Sequence, residues 1–342
     1  MQKRFRITIC ILILALFTVI ILALAVGSAQ LGFFKVIRIL SDEVLGVKGR
    51  GIGQFDRQIV LDVRLPRIIL AIIVGAALSM AGVIYQSLFR NPMADPSVIG
   101  TSSGAALGAT IAIAVGSDLK INLLGTIPFM AFTGAILTTL LVYRLAKIGS
   151  RVPMTVLLLA GIAVSTFLSS AISLIMILRR NDMYNIVSWL MGGFASRRWI
   201  DVGIIAPYAL IGFLATLIFG RELNLMLLGE ERARQLGLNS DRLQKFMISS
   251  ASLLVAGAVS VGGIIGFVGL LVPHMVRFIT GPDHKYLLPA SALAGGLFLL
   301  AADTIARTLL APLELPVGVV TSLCGAPFFI YLLIKNKRMG NG

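Results

Sequence analysis

Residues 246–279 read FMISSASLLVAGAVSVGGIIGFVGLLVPHMVRFI, and the way this stretch divides decides the fold. It carries no acidic residue and a single arginine, Arg277, near its end. A helix crosses the hydrocarbon core of a bilayer with about 20 apolar residues, so the stretch is too long for one comfortable crossing. Gly262-Gly263 offers a place to turn and Pro273 a second interruption, and we divide the stretch at the glycines into two spans. Further apolar runs lie at 7–27, 68–89, 98–116, 121–143, 152–178 and 202–219 before it, and at 287–306 and 315–334 after it. The expected fold is all-α: a polytopic integral membrane protein of about ten transmembrane helices.

Composition agrees. The chain has 342 residues, 57% hydrophobic and 13% charged, with a mean hydropathy of +0.95. Soluble domains are about 45–50% apolar and about 25% charged, so a soluble enzyme of this length is excluded. The formal charge of +15 does not point to nucleic acid, because the basic residues form short clusters between apolar runs rather than one face. Anionic lipid headgroups and topology explain that pattern. Cys10 and Cys324 lie inside apolar runs at opposite ends of the chain, with no disulfide framework or metal spacing.

Both termini are basic, through Lys3, Arg4 and Arg6 and through Lys335, Lys337 and Arg338. Two cytoplasmic ends require an even number of spans, which supports the division at Gly262-Gly263. The run 7–27 is longer than the apolar core of a cleavable signal and is read as an uncleaved first span. The chain 1–342 is thus one transmembrane domain, with spans in 7–27, 68–178, 202–219 and 243–334 and a cytoplasmic loop at 220–242. A basic segment, with Lys35, Arg38, Lys48, Arg50, Arg57, Arg64 and Arg67, is expected outside between the first two spans. It reads either as a solvated loop or as a docking surface for an acidic partner. The half-length piece 183–195, with Trp189, Met191 and Gly192-Gly193, suits an interfacial or re-entrant helix on the outer side.

Gly100, Gly104 and Gly108 recur four apart, a spacing that lets helix backbones approach closely in lipid. Gly100-Thr-Ser102-Ser-Gly104 also fits a nucleophile pattern, with His274 as the available base, but the strand-to-helix elbow that gives the pattern meaning is absent. Packing is the favoured reading and an intramembrane serine hydrolase the remote alternative. His274 stands without Cys, Asp or Glu at ligand spacing, and no metal site is expected. Asp303 lies in an apolar run, where Arg307 at i+4 is expected to pair with it. The segment Gly229-Glu230-Glu231-Arg232-Ala233-Arg234-Gln235-Leu236-Gly237 reads as a short cytoplasmic helix with acids first, arginines later and a terminal glycine. Ala233 and Leu236 are expected to form a small apolar spot on it. The helix is either solvated or a knob pushed by a separate motor, and no phosphate-binding loop occurs in the chain.

The blocks Arg64-Leu-Pro-Arg67, Asn91-Pro-Met-Ala-Asp-Pro96, Gly100 to Gly108, Leu157-Leu-Leu-Ala-Gly161 and Trp189-Leu-Met-Gly-Gly193 closely resemble FecCD-type permeases of prokaryotic ABC importers for ferric siderophores, haem and vitamin B12. The likeness continues through Gly229 to Gly237, Gly266 to His274, Ala301 to Arg307 and Glu314-Leu-Pro-Val-Gly318. The resemblance implies a type II importer permease in the cytoplasmic membrane. It implies a second permease copy, two cytoplasmic ABC ATPase subunits that carry ATP and Mg²⁺, and an extracytoplasmic substrate-binding protein, with no cofactor on this chain. It further implies docking of the binding protein at Arg64, Arg67 and Arg307. ATPase coupling would fall on Gly229, Glu230, Glu231, Ala233, Arg234, Leu236 and Gly237. The inner gate would involve Asn91, Met93, Met154 and Thr155. A ferric siderophore is the first expectation for the cargo, with haem or cobalamin as alternatives.

The topology is open to direct measurement. With Cys10 and Cys324 replaced by serine, a Leu236→Cys variant is expected to react with a membrane-impermeant maleimide in inside-out vesicles. Labelling from the outer side would contradict the topology.

Overall fold

The computed structural model describes residues 2–27, 31–45, 53–119, 123–149 and 151–340. Lipid offers no hydrogen-bond partner to the backbone, so apolar runs satisfy their own N–H and C=O groups as helices. In chain order these are α1 (Gln2–Ala25), α2 (Phe33–Leu45), α3 (Gln54–Gln58), α4 (Leu65–Leu88), α5 (Thr101–Leu119), α6 (Leu123–Ala146), α7 (Met154–Leu178) and α8 (Met183–Leu190). They continue with α9 (Trp199–Ile218), α10 (Gly220–Met226), α11 (Glu230–Gln235), α12 (Ser240–Gly262), α13 (Val268–Thr280), α14 (His284–Thr308) and α15 (Val317–Gly340). Seven described helices are long and apolar enough to cross a membrane, and Thr101–Gly116, Val268–Thr280 and Val317–Tyr331 are shorter apolar helices. They fall where the sequence placed its apolar runs.

The division of residues 246–279 occurs at the glycines. α12 ends at Gly262, Gly263 takes a φ of 69°, and α13 begins five residues later. Pro273 lies inside α13 rather than breaking it. Proline removes the N–H that would bond the Gly269 carbonyl. The Gln86 side chain supplies a donor instead, reaching Gly269 O at 3.4 Å and Leu270 O at 3.2 Å.

Other boundaries differ from expectation. The second span starts well before residue 68, because α3, a π-helical stretch Ile59–Arg64 and α4 form one continuous helix from Gln54 to Leu88. Arg64 and Arg67 therefore sit on a helix and not in a loop. α12 begins at Ser240, where Asn239 Oδ1 accepts the Arg242 N–H. The connecting segment is correspondingly shorter than 220–242, and α10 occupies its first part. Part of the basic segment is paired locally, Lys35 with Asp56 and Arg57 with Glu43. Lys48 and Arg50 lie outside the described residues.

α4 is the central helix, packed by α14, α12, α13 and α9. Its approach to α14 and α13 is backbone to backbone. A Cβ on Gly75 would fall 2.2 Å from Gly295 O, and one on Gly82 would fall 1.8 Å from Gly269 O. α5 lies against α6 in the same way, with Gly104 facing Gly134 and Gly108 facing Met130 O. Gly100 is not part of α5, although a Cβ there would meet Thr138 of α6 at 3.3 Å. It closes the 3-10 turn Pro96–Ile99 with a φ of 84°, before α5 begins. At one end of the bundle Phe5 of α1 packs on Tyr286 of α14, ring centroids 4.8 Å apart; this is called the N-terminal end below. At the opposite end the chain 192–194 is held between α12 and α15, Gly193 N–H donating to Gly262 O at 2.8 Å and Val317 N–H to Gly192 O at 3.0 Å.

Overpacking a close helix contact costs about 1–3 kcal/mol. Gly82→Ala is expected to lower thermal stability by at least that much. Gly125→Ala, where an added Cβ meets nothing within 4 Å, is the control and should be neutral in the same detergent melt.

Candidate functional site

Among the described residues charged groups are concentrated at the two ends of the bundle. At the far end Arg67, on the first turn of α4, is gripped by two carboxylates from distant parts of the chain. Its Nε donates to Asp303 Oδ1 and Oδ2 at 3.1 and 3.0 Å, its Nη2 to Oδ1 at 2.8 Å, and its Nη1 to Glu314 Oε2 at 2.9 Å. Asp303 is fully buried, and the planar guanidinium fork satisfies it bidentately. The expected local pair between Asp303 and Arg307 is thus replaced by a tertiary one. Arg307 instead donates through Nη2 to Ala23 O. Arg64 donates through Nη1 to Leu24 O and, at 3.2 Å, to Ala25 O. These are carbonyls of the last turn of α1, which have no donor within the helix and carry the negative end of its dipole. Two arginines therefore cap α1.

Arg64, Arg67 and Arg307 are brought together, but each is less than a tenth exposed. A cleft of about 160 Å³ reaches all three, lined also by Gly27, Ile59, Val63 and Glu314. Beside it a cavity of about 710 Å³ runs between Arg67 and Glu314 on one wall and Trp189, Gly193 and Arg197 on another.

The N-terminal end holds the other expected residues. Gly229 (φ 103°) and Gly237 (φ 85°) bracket α11, which Glu230 opens and in which Glu231 lines a cavity. That cavity, about 400 Å³, lies between Glu231 and Arg234 and the turn Arg151-Val152-Pro153 that leads into Met154 and Thr155. Arg234 reaches Ser240 Oγ at 2.7 Å and Asp241 Oδ1 at 3.0 Å, tying α11 to the start of α12. Ala233 and Leu236 do not form a common apolar spot. Ala233 is fully buried against the bundle, whereas Leu236 is 62% exposed. Met154 and Thr155 start α7, and Asn91 Oδ1 accepts the Met93 N–H at 2.9 Å in the turn after α4.

Ser102 and His274 are not brought together. Ser102 is on α5, which packs on α6 and α7, while His274 is on α13, which packs on α14 and α4 and sets its ring edge-on to Phe278. Among the described residues no hydrogen bond joins them. The histidine that is wired into the structure is His284, which sequence reasoning passed over. Its one visible signal is Asp283 directly before an apolar run, a helix N-cap pattern. Asp283 Oδ1 accepts the Lys285 N–H at 3.0 Å. Asn224 of α10 bonds both Asp283 and His284, and His284 Nε2 reaches Ser87 of α4.

A bundle of membrane-spanning helices with charged groups clustered at its two ends is the frame of a polytopic transport protein, and comparison with known proteins narrows it. The model of the FecCD transport family matches residues 13–335. The chain belongs to that family and is an ABC transporter permease, a transport subunit rather than an enzyme. It is 46% identical to a cobalamin import system permease protein of Halobacterium salinarum, over 83% of this chain and 75% of that one. It is 38% identical to an Fe(3+)-citrate import system permease protein of Bacillus subtilis, over 98% of each chain. It is 37% identical to a hemin transport system permease protein of Yersinia pestis, over 97% of this chain and 98% of that one. A solved inward-facing structure of a putative metal-chelate type ABC transporter matches with a TM-score of 0.84 and 32% identity, covering 96% of this chain and 99% of that one.

Removing one partner of a buried ion pair leaves a charge uncompensated and costs about 3–5 kcal/mol. Asp303→Ala is expected to lose that much, Glu314→Ala about 1 kcal/mol or less because that carboxylate is partly solvated. Arg67→Met combined with Asp303→Leu should recover most of the loss, as read from thermal unfolding.

Proposed function

We propose that the chain is the membrane permease of an ATP-driven importer that brings an iron chelate, a ferric siderophore first, across the cytoplasmic membrane of a prokaryote. Haem and cobalamin are the alternatives within the same family. The observation that carries this reading is the likeness to permeases named for ferric citrate and hemin over nearly the whole chain, and to one named for cobalamin over 83% of it. Both termini and α11 lie on the cytoplasmic side, so that the far-end arginines face outward.

The path runs between this chain and a second copy, and a homodimer is the simplest assembly. α7 supports this. Its apolar window is only 11% buried, yet Thr166, Ser169, Ser170 and Ser173 stand exposed on it. The hydroxyls of Thr166, Ser170 and Ser173 bond carbonyls four residues back at 3.0–3.1 Å. Small hydroxyl residues of this kind are enriched where transmembrane helices meet, which suits a facing helix. Asn91, Met93, Met154 and Thr155 would narrow the inner end of the path.

Two ATPase subunits hold ATP and Mg²⁺, and this chain binds no cofactor of its own. They would act through α11, with buried Ala233 as its anchor and exposed Leu236, the residue after it, as the contact. An extracytoplasmic binding protein would present acidic groups to the arginine cleft. Arg64 and Arg307 bond neutral carbonyls of α1 that a carboxylate would replace, whereas Arg67 is already held by two carboxylates. The docking role therefore rests on Arg64 and Arg307, with Arg67 as their support.

The test is uptake by proteoliposomes holding the permease, its ATPase and its binding protein, with ferric citrate, ferrichrome, hemin and cyanocobalamin offered separately. ATP-dependent uptake of a ferric chelate is expected, reduced at least tenfold by Arg64→Glu with Arg307→Glu. Uptake without the ATPase would overturn the reading.

A further inference from the structure

The buried polar cluster at the N-terminal end joins three segments that are far apart in sequence. Asn224 Oδ1 accepts the His284 backbone N–H at 2.9 Å, which fixes which atom of that amide is the oxygen. His284 Nδ1 lies 2.7 Å from the same oxygen and must therefore carry its proton and donate. Asn224 Nδ2 donates to Asp283 Oδ1 at 2.8 Å. On the other edge of the ring, Nε2 lies 2.5 Å from Ser87 Oγ in the last turn of α4. One amide on α10 thus holds the N-terminus of α14, and one imidazole carries that hold across to α4.

α10 leads directly into α11 through Leu227, Leu228 and Gly229. Among the described residues the segment 220–237 is tied to the bundle at Asn224 and at Arg234, the latter bonding both Ser240 Oγ and Asp241 Oδ1. The Arg234–Asp241 pair has side chains 32% and 38% exposed, where water screens it and its worth is small. His284 is 1% exposed, where breaking a bond leaves an unsatisfied group and is costly. Beyond the cluster, α4 and α14 are locked together in mid-span at Gly75 and Gly295 and at the far end by Arg67 and Asp303. A displacement entering at Asn224 therefore has a rigid pair of helices to act on.

We propose that Asn224, His284 and Ser87 are positioning residues that transmit displacement of the 220–237 segment to α4 and α14. The inference rests on the reading that α11 receives work from an ATPase. It can fail separately from that reading, as follows.

In the isolated permease, Asn224→Ala should speed amide hydrogen exchange across residues 284–287 at least tenfold. In the permease–ATPase complex with Cys10 and Cys324 replaced by serine, alkylation of Thr155→Cys by a maleimide is expected to change at least tenfold on trapping with ATP and vanadate. Adding Asn224→Ala should abolish that change while ATP hydrolysis stays within about twofold. Ser87→Ala should do the same and Ser87→Thr, which keeps the hydroxyl, should restore it, so that a folding defect in one variant does not decide the result. A nucleotide response that survives Asn224→Ala or Ser87→Ala overturns the transmission role even if exchange quickens. Loss of response and hydrolysis together in both variants also overturns it, since that marks a general structural role. An unsubstituted complex with no nucleotide response overturns the transport reading and this inference with it.

Discussion

Close contact of α4 with α14 and α13 at Gly75, Gly295, Gly82 and Gly269 is the constraint on which the rest of the structure depends. Lipid tails are as apolar as leucine, so no hydrophobic force gathers these helices; they associate through short-range packing that only small residues permit. Once the backbones touch, the positions of all groups at the two ends of α4 and α14 are set. Arg67 meets Asp303 at one end and Ser87 meets His284 at the other. Across the same contact, Pro273 leaves a carbonyl of α13 without its helical donor and Gln86 of α4 supplies one.

The far end shows how a basic cluster is made compatible with burial. Three arginines in a small volume repel one another. They are held because two of them cap the carbonyl end of α1, where partial negative charge is already concentrated, and the third is neutralised by two carboxylates. Arg64 and Arg307 thus bond neutral carbonyls, whereas Arg67 is bound by charge. Burial does not oppose a docking role for the cluster, but it changes the expectation from a charged surface patch to a cleft whose internal partners give way. At the other end, Ala233 of α11 is buried against the bundle while Leu236, just past the helix, is exposed.

The sequence by itself determined the class of fold, because what it required is local. Span length, the turn at Gly262-Gly263 and the helical reading of 229–237 each depend on a few neighbouring residues and on the thickness of a bilayer. The ordered motif blocks were enough to place the chain in its transport family. The partners of the charged residues were decided only by the tertiary structure. Arg307 stands four residues from Asp303 and was the natural partner by helical spacing, yet Asp303 is taken by Arg67, 236 positions away. Gly100 shared a spacing with Gly104 and Gly108 but not a helix, because a 3-10 turn intervenes. His284 carried no sequence pattern beyond the cap before it, since its partners come from α4 and α10. Helical periodicity says which residues share a face of one helix. Which faces meet, and at what height, is set by backbone contacts that no short stretch of sequence contains.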